Sequence, residues 1–278
     1  ALSWCAQGLE TEPGDSYLRY CYGAALDRNH QYEEAIEQYR AYVTLHPEDI
    51  ECWFSLGGVY HRLQRHQEAI HCFDAVLELD PANSQSLYNK AIVFSDMAEE
   101  GEAMKLLEST VKKNPLYWKA WVKLGFLLSR NKKWDKATEA YERVVQLRPD
   151  LADGHYNLGL CYLILDKTRL ALKAFQEALF LNEEDADAHF YTGLAYMDLK
   201  QASRAHDAFH RALAINLEHE RSHYLLGYLY HMQGLEEKAL TEHKFLAEKH
   251  SMFAPLLEKA LTADPSSLDA ARKLDFMP

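Results

Sequence analysis

The chain has 278 residues, with 30 Lys and Arg against 42 Asp and Glu, a formal net charge of −12. That balance excludes a general nucleic-acid binder, in which a basic face supplies much of the affinity, and no apolar run approaches the length of a membrane-spanning helix. The 5 cysteines (Cys5, Cys21, Cys52, Cys72, Cys161) have neither metal-pair nor redox-couple spacing, so reduced core thiols and a reducing, cytoplasmic compartment are expected.

In chain order, the first fifteen residues, ALSWCAQGLETEPGD, stand in register with the next unit of the chain, Ala1 and Pro13 lying one period before Ala35 and Pro47. They read as the second helix of a unit whose first helix is missing. The chain is therefore expected to be an excerpt of a longer array, the alternative being a native single-helix cap. From about Ser16 to Lys249 the sequence repeats every 34 residues. Gly23, Gly57, Gly125, Gly159, Gly193 and Gly227 mark the period, with Ala91 at the remaining step. Alanines follow at Ala35, Ala69, Ala103, Ala137, Ala171, Ala205 and Ala239. Four residues on stand Tyr39, Phe73, Leu107, Tyr141, Phe175 and Phe209, with His243 the outlier, and prolines close four units at Pro47, Pro81, Pro115 and Pro149.

Each period predicts two amphipathic helices and a short polar turn. In the fourth, the helices are predicted over Trp118 to Leu128 and Lys136 to Leu147, joined through SRNKKWD. Past Lys249 the period fails. A helix is predicted from Phe253 to Thr262, then another capped by Ser266 or Ser267. These shield the last repeat, or alternatively the terminal helix with Leu268, Leu274 and Phe276 folds back as a plug.

The unit from Ile50 carries Trp53, Leu56, Gly57, Tyr60, Ala69, Phe73 and Pro81. This resembles the tetratricopeptide repeat, with Trp at position 4, Leu-Gly at 7 and 8, Tyr at 11, Ala at 20, Phe at 24 and Pro at 32. The resemblance implies an all-α fold: an α-solenoid, wound as a right-handed superhelix, of seven helix-turn-helix units. The expected organisation is a half-repeat or capping helix over 1–15, seven tandem units over 16–249 and capping helices over 250–278.

It also implies a concave groove lined by positions 2, 5, 9, 12 and 13 of each first helix. Ten basic residues lie between Lys112 and Arg148, opposed only by Asp135, Glu139 and Glu142. Family members that clamp a peptide carboxylate need five polar places. Asn89, Lys119 and Lys123 match three, while Phe54 and Gly58 occupy the other two. Asn89, Lys119, Lys123 and Arg130 are the expected polar contacts with an acidic partner. The expected apolar groove contacts are Tyr156 and Leu160, then Phe190, Leu194 and Met197, then Tyr224, Tyr228 and His231, with Leu163 and Met232 as residues that could equally pack inside.

Catalysis, a cofactor and a metal site are not expected. His155, His189 and His223 recur one repeat apart at position 4, too far apart to share a zinc ion. His61 and His66 miss the i,i+4 spacing of a helical ligand pair, and neither a phosphate loop nor a nucleophile elbow occurs. The functional expectation is a noncatalytic adaptor binding a peptide or amphipathic helix of another protein, without nucleic acid or direct membrane insertion. One alternative is a self-assembling structural protein that associates through the solenoid ends at Trp4; another is the targeting or regulatory segment of a larger enzyme.

Overall fold

The computed structural model describes residues 2–12 and 14–262. Among these residues the helices begin with α1 (Leu2–Thr11), α2 (Ser16–Arg28), α3 (Tyr32–Leu45), α4 (Ile50–Arg62), α5 (His66–Leu79), α6 (Ser84–Asp96), α7 (Glu100–Lys113) and α8 (Trp118–Arg130). They continue as α9 (Trp134–Leu147), α10 (Ala152–Ile164), α11 (Thr168–Leu181), α12 (Ala186–Asp198), α13 (Ala202–Ile215), α14 (Glu220–Met232), α15 (Glu236–Glu248) and α16 (Ala254–Thr262). The chain divides into two compact units, Ala1–Lys132 and Lys133–Pro278.

In the first unit α2, α4 and α6 each pack on the next helix in the chain, α3, α5 and α7 carry the stack to the next first helix, and α1 lies on α2. In the second unit α9 packs on α10, the pairs α10–α11, α12–α13 and α14–α15 stack in order, and α16 lies against both α14 and α15. The fold is an all-α solenoid of paired helices in the expected register, with flanking helices. The expected helix from Phe253 is α16. Ala1, Pro13, Ser266, Ser267, Leu268, Leu274 and Phe276 lie outside the described residues.

Six of the turns inside helix pairs close in one way. Gln31, Arg65, Glu99, Lys167, Gln201 and Leu235 donate their backbone N–H to the carbonyls of Leu26, Tyr60, Phe94, Tyr162, Tyr196 and Tyr230, at 2.8–3.0 Å. This 6→1 bond is the Schellman closure, and it puts the preceding residue in the left-handed region. His30, Gln64, Ala98, Lys132, Asp166 and Lys200 stand there with φ between 56° and 61°, and only the last such turn uses glycine, Gly234. In the link after α8, where Lys132 is the left-handed residue, α8 runs to Arg130 and α9 starts at Trp134, each two residues further into the link than the sequence predicts. Between pairs, Asp15, Asp49, Asn83 and Asp185 cap the next helix by accepting from the N–H three residues on, at 2.9–3.0 Å.

The marker glycines let paired helices approach closely. A Cβ at Gly159 would lie 2.6 Å from Phe175 Cε1, and one at Gly57 would lie 2.9 Å from Phe73 Cε1. Both rings are fully buried, as are Tyr39, Leu107 and Phe209 at the equivalent places. Ala91, where glycine is missing, belongs to the repeat whose ring is replaced by Leu107, a smaller side chain that leaves room for a Cβ. In the last repeat the partner comes from outside the period. Leu257 of α16, fully buried, reaches to 2.5 Å from the Cβ position of Gly227, which accounts for the half-buried His243 where other repeats place a large apolar residue.

Gly159→Ala is expected to destabilise the second unit by about 1–3 kcal/mol through overpacking, and adding Phe175→Leu, which recreates the Ala91 and Leu107 combination, is expected to recover part of that loss in thermal melts. Ala98→Gly should raise stability by up to about 1 kcal/mol, because the left-handed position carries a Cβ penalty that glycine lacks; a lower melting temperature would contradict the assignment of that turn.

Candidate functional site

In the first unit α8 presents a stripe that is exposed at Lys119, Phe126 and Arg130 and half-buried at Lys123. Lys119, Lys123, Phe126 and Arg130 succeed one another by four, three and four residues, which places them on one helical face. Phe126 is 46% exposed. Lys123 Nζ lies 5.6 Å and Arg130 Cζ 5.8 Å from its ring centroid, and Lys119 Nζ lies 5.9 Å from that of Trp118. Glu100 holds the Arg130 guanidinium at 2.8 Å and accepts from Asn131 at 2.7 Å. Among the described residues neither Lys119 nor Lys123 has a carboxylate within ion-pair distance. The stripe therefore joins open positive charge to an exposed aromatic face framed by cations. Asn89 on α6 is half-buried and makes no hydrogen bond to either lysine. Phe126 is absent from the expected contacts, although it occupies position 9 of its repeat, a groove-lining register; attention to charge alone passes over it.

The expected apolar wall of the second unit is largely spent on packing. Phe190 is fully enclosed, with ring centroids of Tyr191, Phe209 and His219 at 5.1, 5.7 and 5.2 Å. Tyr156 is half-buried against Phe175 and Tyr191, at 6.1 and 5.9 Å. Leu160, Tyr224, Tyr228 and His231 are all buried at 9% exposure or less, and Phe253, just ahead of α16, lies 5.8 Å from the Tyr224 ring. His231 Nδ1 is bonded to Glu236 at 3.0 Å. Leu194 and Met197 are half-buried, while Met232 is 44% exposed. The correction is physical. Large position-5 and position-9 side chains pack against neighbouring helices, so Phe190, Leu160, Tyr224 and Tyr228 are core rather than open surface, and His231, at position 12, is buried beside Glu236.

The recurrent histidines have a shared structural task. Trp53 and Trp121 donate their indole N–H to the carbonyls of Pro47 and Pro115 at 2.9 and 3.0 Å. His155, His189 and His223 place Nε2 at 3.0, 3.0 and 2.9 Å from the carbonyls of Pro149, Glu183 and Leu217, again six residues back. A carbonyl only accepts, so Nε2 carries the proton in each. His223 also meets Glu242 through Nδ1 at 2.5 Å. Burial opposes its charge, but the Glu242 bond, the Leu217 carbonyl and the nearby Glu220 outweigh burial and raise its pKa. Burial lowers that of His189. At the amino-terminal side, Trp4 is 67% exposed beside a groove lined by Leu2, Tyr20, Ala24, Ala25 and Arg28.

Sequence profiles described as tetratricopeptide repeat match residues 23–84, 193–243 and 152–185, and one described as TPR repeat matches 127–166, together more than half of the chain. The chain belongs to the tetratricopeptide repeat family. Among solved structures, YrrB, described as a TPR protein with an unusual peptide-binding site, is similar at 18% identity over 66% of this chain and 95% of its own, with a TM-score of 0.62. Pseudomonas aeruginosa pilF is similar at 18% identity over 76% and 96%, with a TM-score of 0.61. MamA is similar at 24% identity over 58% and 94%, with a TM-score of 0.56. At these identities the likeness establishes the fold. No match is found among curated proteins. The tetratricopeptide repeat is used generically as a protein-interaction and peptide-binding scaffold, typically without catalysis of its own.

The raised pKa of His223 fixes the sign of one pH effect in this repeat. A group whose folded pKa exceeds its unfolded value contributes stability fully present below the unfolded value, here 6.5, and lost as pH rises through the folded one. The stability advantage of the native chain over Glu242→Gln in urea titrations should therefore be largest below pH 6.5 and shrink above it; an advantage that grows with pH would contradict the charged pair.

Proposed function

We infer that this chain is a noncatalytic interaction scaffold, and that the α8 face receives a peptide or helical segment carrying acidic residues around an apolar anchor. One observation carries the reading: Phe126 stands exposed on the same helical stripe as Lys119, Lys123 and Arg130. An aromatic anchor rimmed by charge matches the anatomy of recognition patches, with the ring supplying buried area and the cations setting register and encounter rate. The chain as a whole is acidic, at −12, so this cationic stripe is a local departure from its average surface. Similarity to the peptide-binding YrrB supports a peptide ligand. The cysteines form no disulfide, which supports a reducing compartment. Among the described residues no helix is long and apolar enough to cross a membrane.

A second reading rests on Trp4, whose exposure beside an open groove suits association between copies of the chain. The test uses a panel of fluorescent synthetic peptides in which Phe or Leu is flanked either by Asp and Glu or by Ser and Gln. Acidic peptides should bind in a salt-sensitive manner, and Lys119→Glu with Lys123→Glu should weaken them at least about tenfold, close to 1.4 kcal/mol. Phe126→Ala should weaken acidic and neutral peptides alike. Unchanged binding by the lysine variant would overturn the α8 assignment. Absence of peptide binding together with a concentration-dependent mass abolished by Trp4→Ser would replace it with self-assembly.

A further inference from the structure

Three polar atoms converge in the second unit on a feature that interaction by itself does not require. His206 and His210 lie one helical turn apart on α13, and their Nε2 atoms are 3.1 Å from each other. Tyr230 Oη, from α14 of the next repeat, lies 3.2 Å from His206 Nε2 and 3.1 Å from His210 Nε2. The three atoms form a nearly equilateral triangle. An imidazole Nε2 has a single in-plane direction for its proton or lone pair, so it cannot make two straight bonds to two neighbours at once. The three contacts therefore cannot all be straight hydrogen bonds at once.

We propose that His206, His210 and Tyr230 bind a divalent late transition-metal ion of the Zn2+ or Cu2+ class, with solvent completing its coordination. The triangle has the right size. A tetrahedral ion with nitrogen and oxygen ligands at about 2.0–2.1 Å requires ligand-to-ligand edges of about 3.3 Å, so the observed edges need open by only a few tenths of an ångström. The ligand types suit that class, imidazole nitrogen favouring Zn2+ and Cu2+ over Mg2+ or Ca2+. The i,i+4 spacing, HDAFH, places both rings on one helical face. No cluster of three or more His, Cys, Asp and Glu able to hold a metal occurs among the described residues; the third ligand here is a phenol.

The surroundings fit the ion. His210 is exposed and His206 half-buried, which leaves the triangle open to solvent. Asp207 Oδ1 lies 3.7 Å from His206 Nδ1, beyond hydrogen-bond distance, and adds negative charge near that ring. Negative charge at Glu242 acts on both His210 and Tyr230, while Lys238 Nζ, 5.3 Å from the Tyr230 ring centroid, opposes the ion. Tyr230 is a buried phenol, and its coordination as a phenolate releases one proton to solvent. The bound ion ties the second helix of one repeat to the first helix of the next.

The experiment takes the untagged, chelator-stripped chain and titrates ZnCl2 by calorimetry, with thermal melts alongside and CuCl2 followed by visible absorption. Expected are one saturable Zn2+ site per chain, a rise in melting temperature with added Zn2+, and a phenolate-to-Cu2+ charge-transfer band. His206→Ala and His210→Ala should each weaken Zn2+ at least about tenfold, and Tyr230→Phe should remove the band while keeping weaker binding. His210 is exposed, so His210→Gln tests the site in a folded chain, and His243→Ala controls for binding by the other histidines. Absence of a saturable site, or unchanged affinity in His206→Ala with His210→Ala, would overturn the proposal; a band that persists in Tyr230→Phe would overturn the assignment of the third ligand.

Discussion

The closeness of the two helices in each pair is the constraint on which the rest of this structure depends. At Gly57, Gly159 and Gly193 a ring from the second helix occupies space that a Cβ would otherwise claim. The ring is then buried completely, at Phe73, Phe175 and Phe209 alike. A fully buried large side chain contributes roughly 1.5–3 kcal/mol of transfer free energy, and one such contact per repeat recurs in register. The position is a coupled pair rather than a glycine requirement as such. Ala91 occurs where Leu107 replaces the ring, and Leu257 of α16 fills the space at Gly227. The second substitution also explains how a helix outside the period finishes the array. It supplies the side chain that the last repeat lacks.

Local backbone chemistry cooperates with that packing. Every described intra-pair turn places one residue in the left-handed region, and all but the last use a residue with a Cβ. The strain is offset by the 6→1 bond that satisfies a helix-terminal carbonyl and by the tight reversal that brings the two helices together. At the other end of five of the pairs, an aromatic N–H from position 4, at Trp53, Trp121, His155, His189 or His223, reaches the carbonyl six residues back. Tryptophan and histidine are interchangeable there because both present a ring N–H at similar reach. The substitution has a consequence: histidine adds a titratable second nitrogen, and at His223 that nitrogen meets Glu242.

Where apolar side chains are not consumed by the stack, they become available to a partner. The second unit packs one set of large aromatics internally, the rings of Tyr156, Phe175, Tyr191, Phe190 and Phe209 forming successive contacts. In α8 the opposite holds. Phe126 emerges between two cations, and among the described residues two lysines on the same face lack carboxylate partners. The triangle of His206, His210 and Tyr230 lies on a different feature again, between α13 and α14, and joins two repeats through polar atoms rather than apolar area.

Much of the fold is readable from the sequence because a 34-residue period repeats the same spatial demand in each unit. Small residues at Gly159 and Ala171 and a ring at Phe175 name a close helix pair wherever they recur. Lys119, Lys123 and Arg130 are identifiable as one face from helical periodicity, and Phe126 belongs to the same register. Exposure is not readable, since residue type does not reveal whether a neighbouring repeat covers a side chain. Phe190 and Tyr228 have the composition of a binding patch and the burial of a core. The HDAFH spacing is visible, yet its third partner, Tyr230, stands 20 residues beyond His210. Periodicity is a local property and dictated the helices, their turns and their pairing; burial and the meeting of His206, His210 and Tyr230 depend on side chains distant in the chain, so they emerged only once the repeats were stacked.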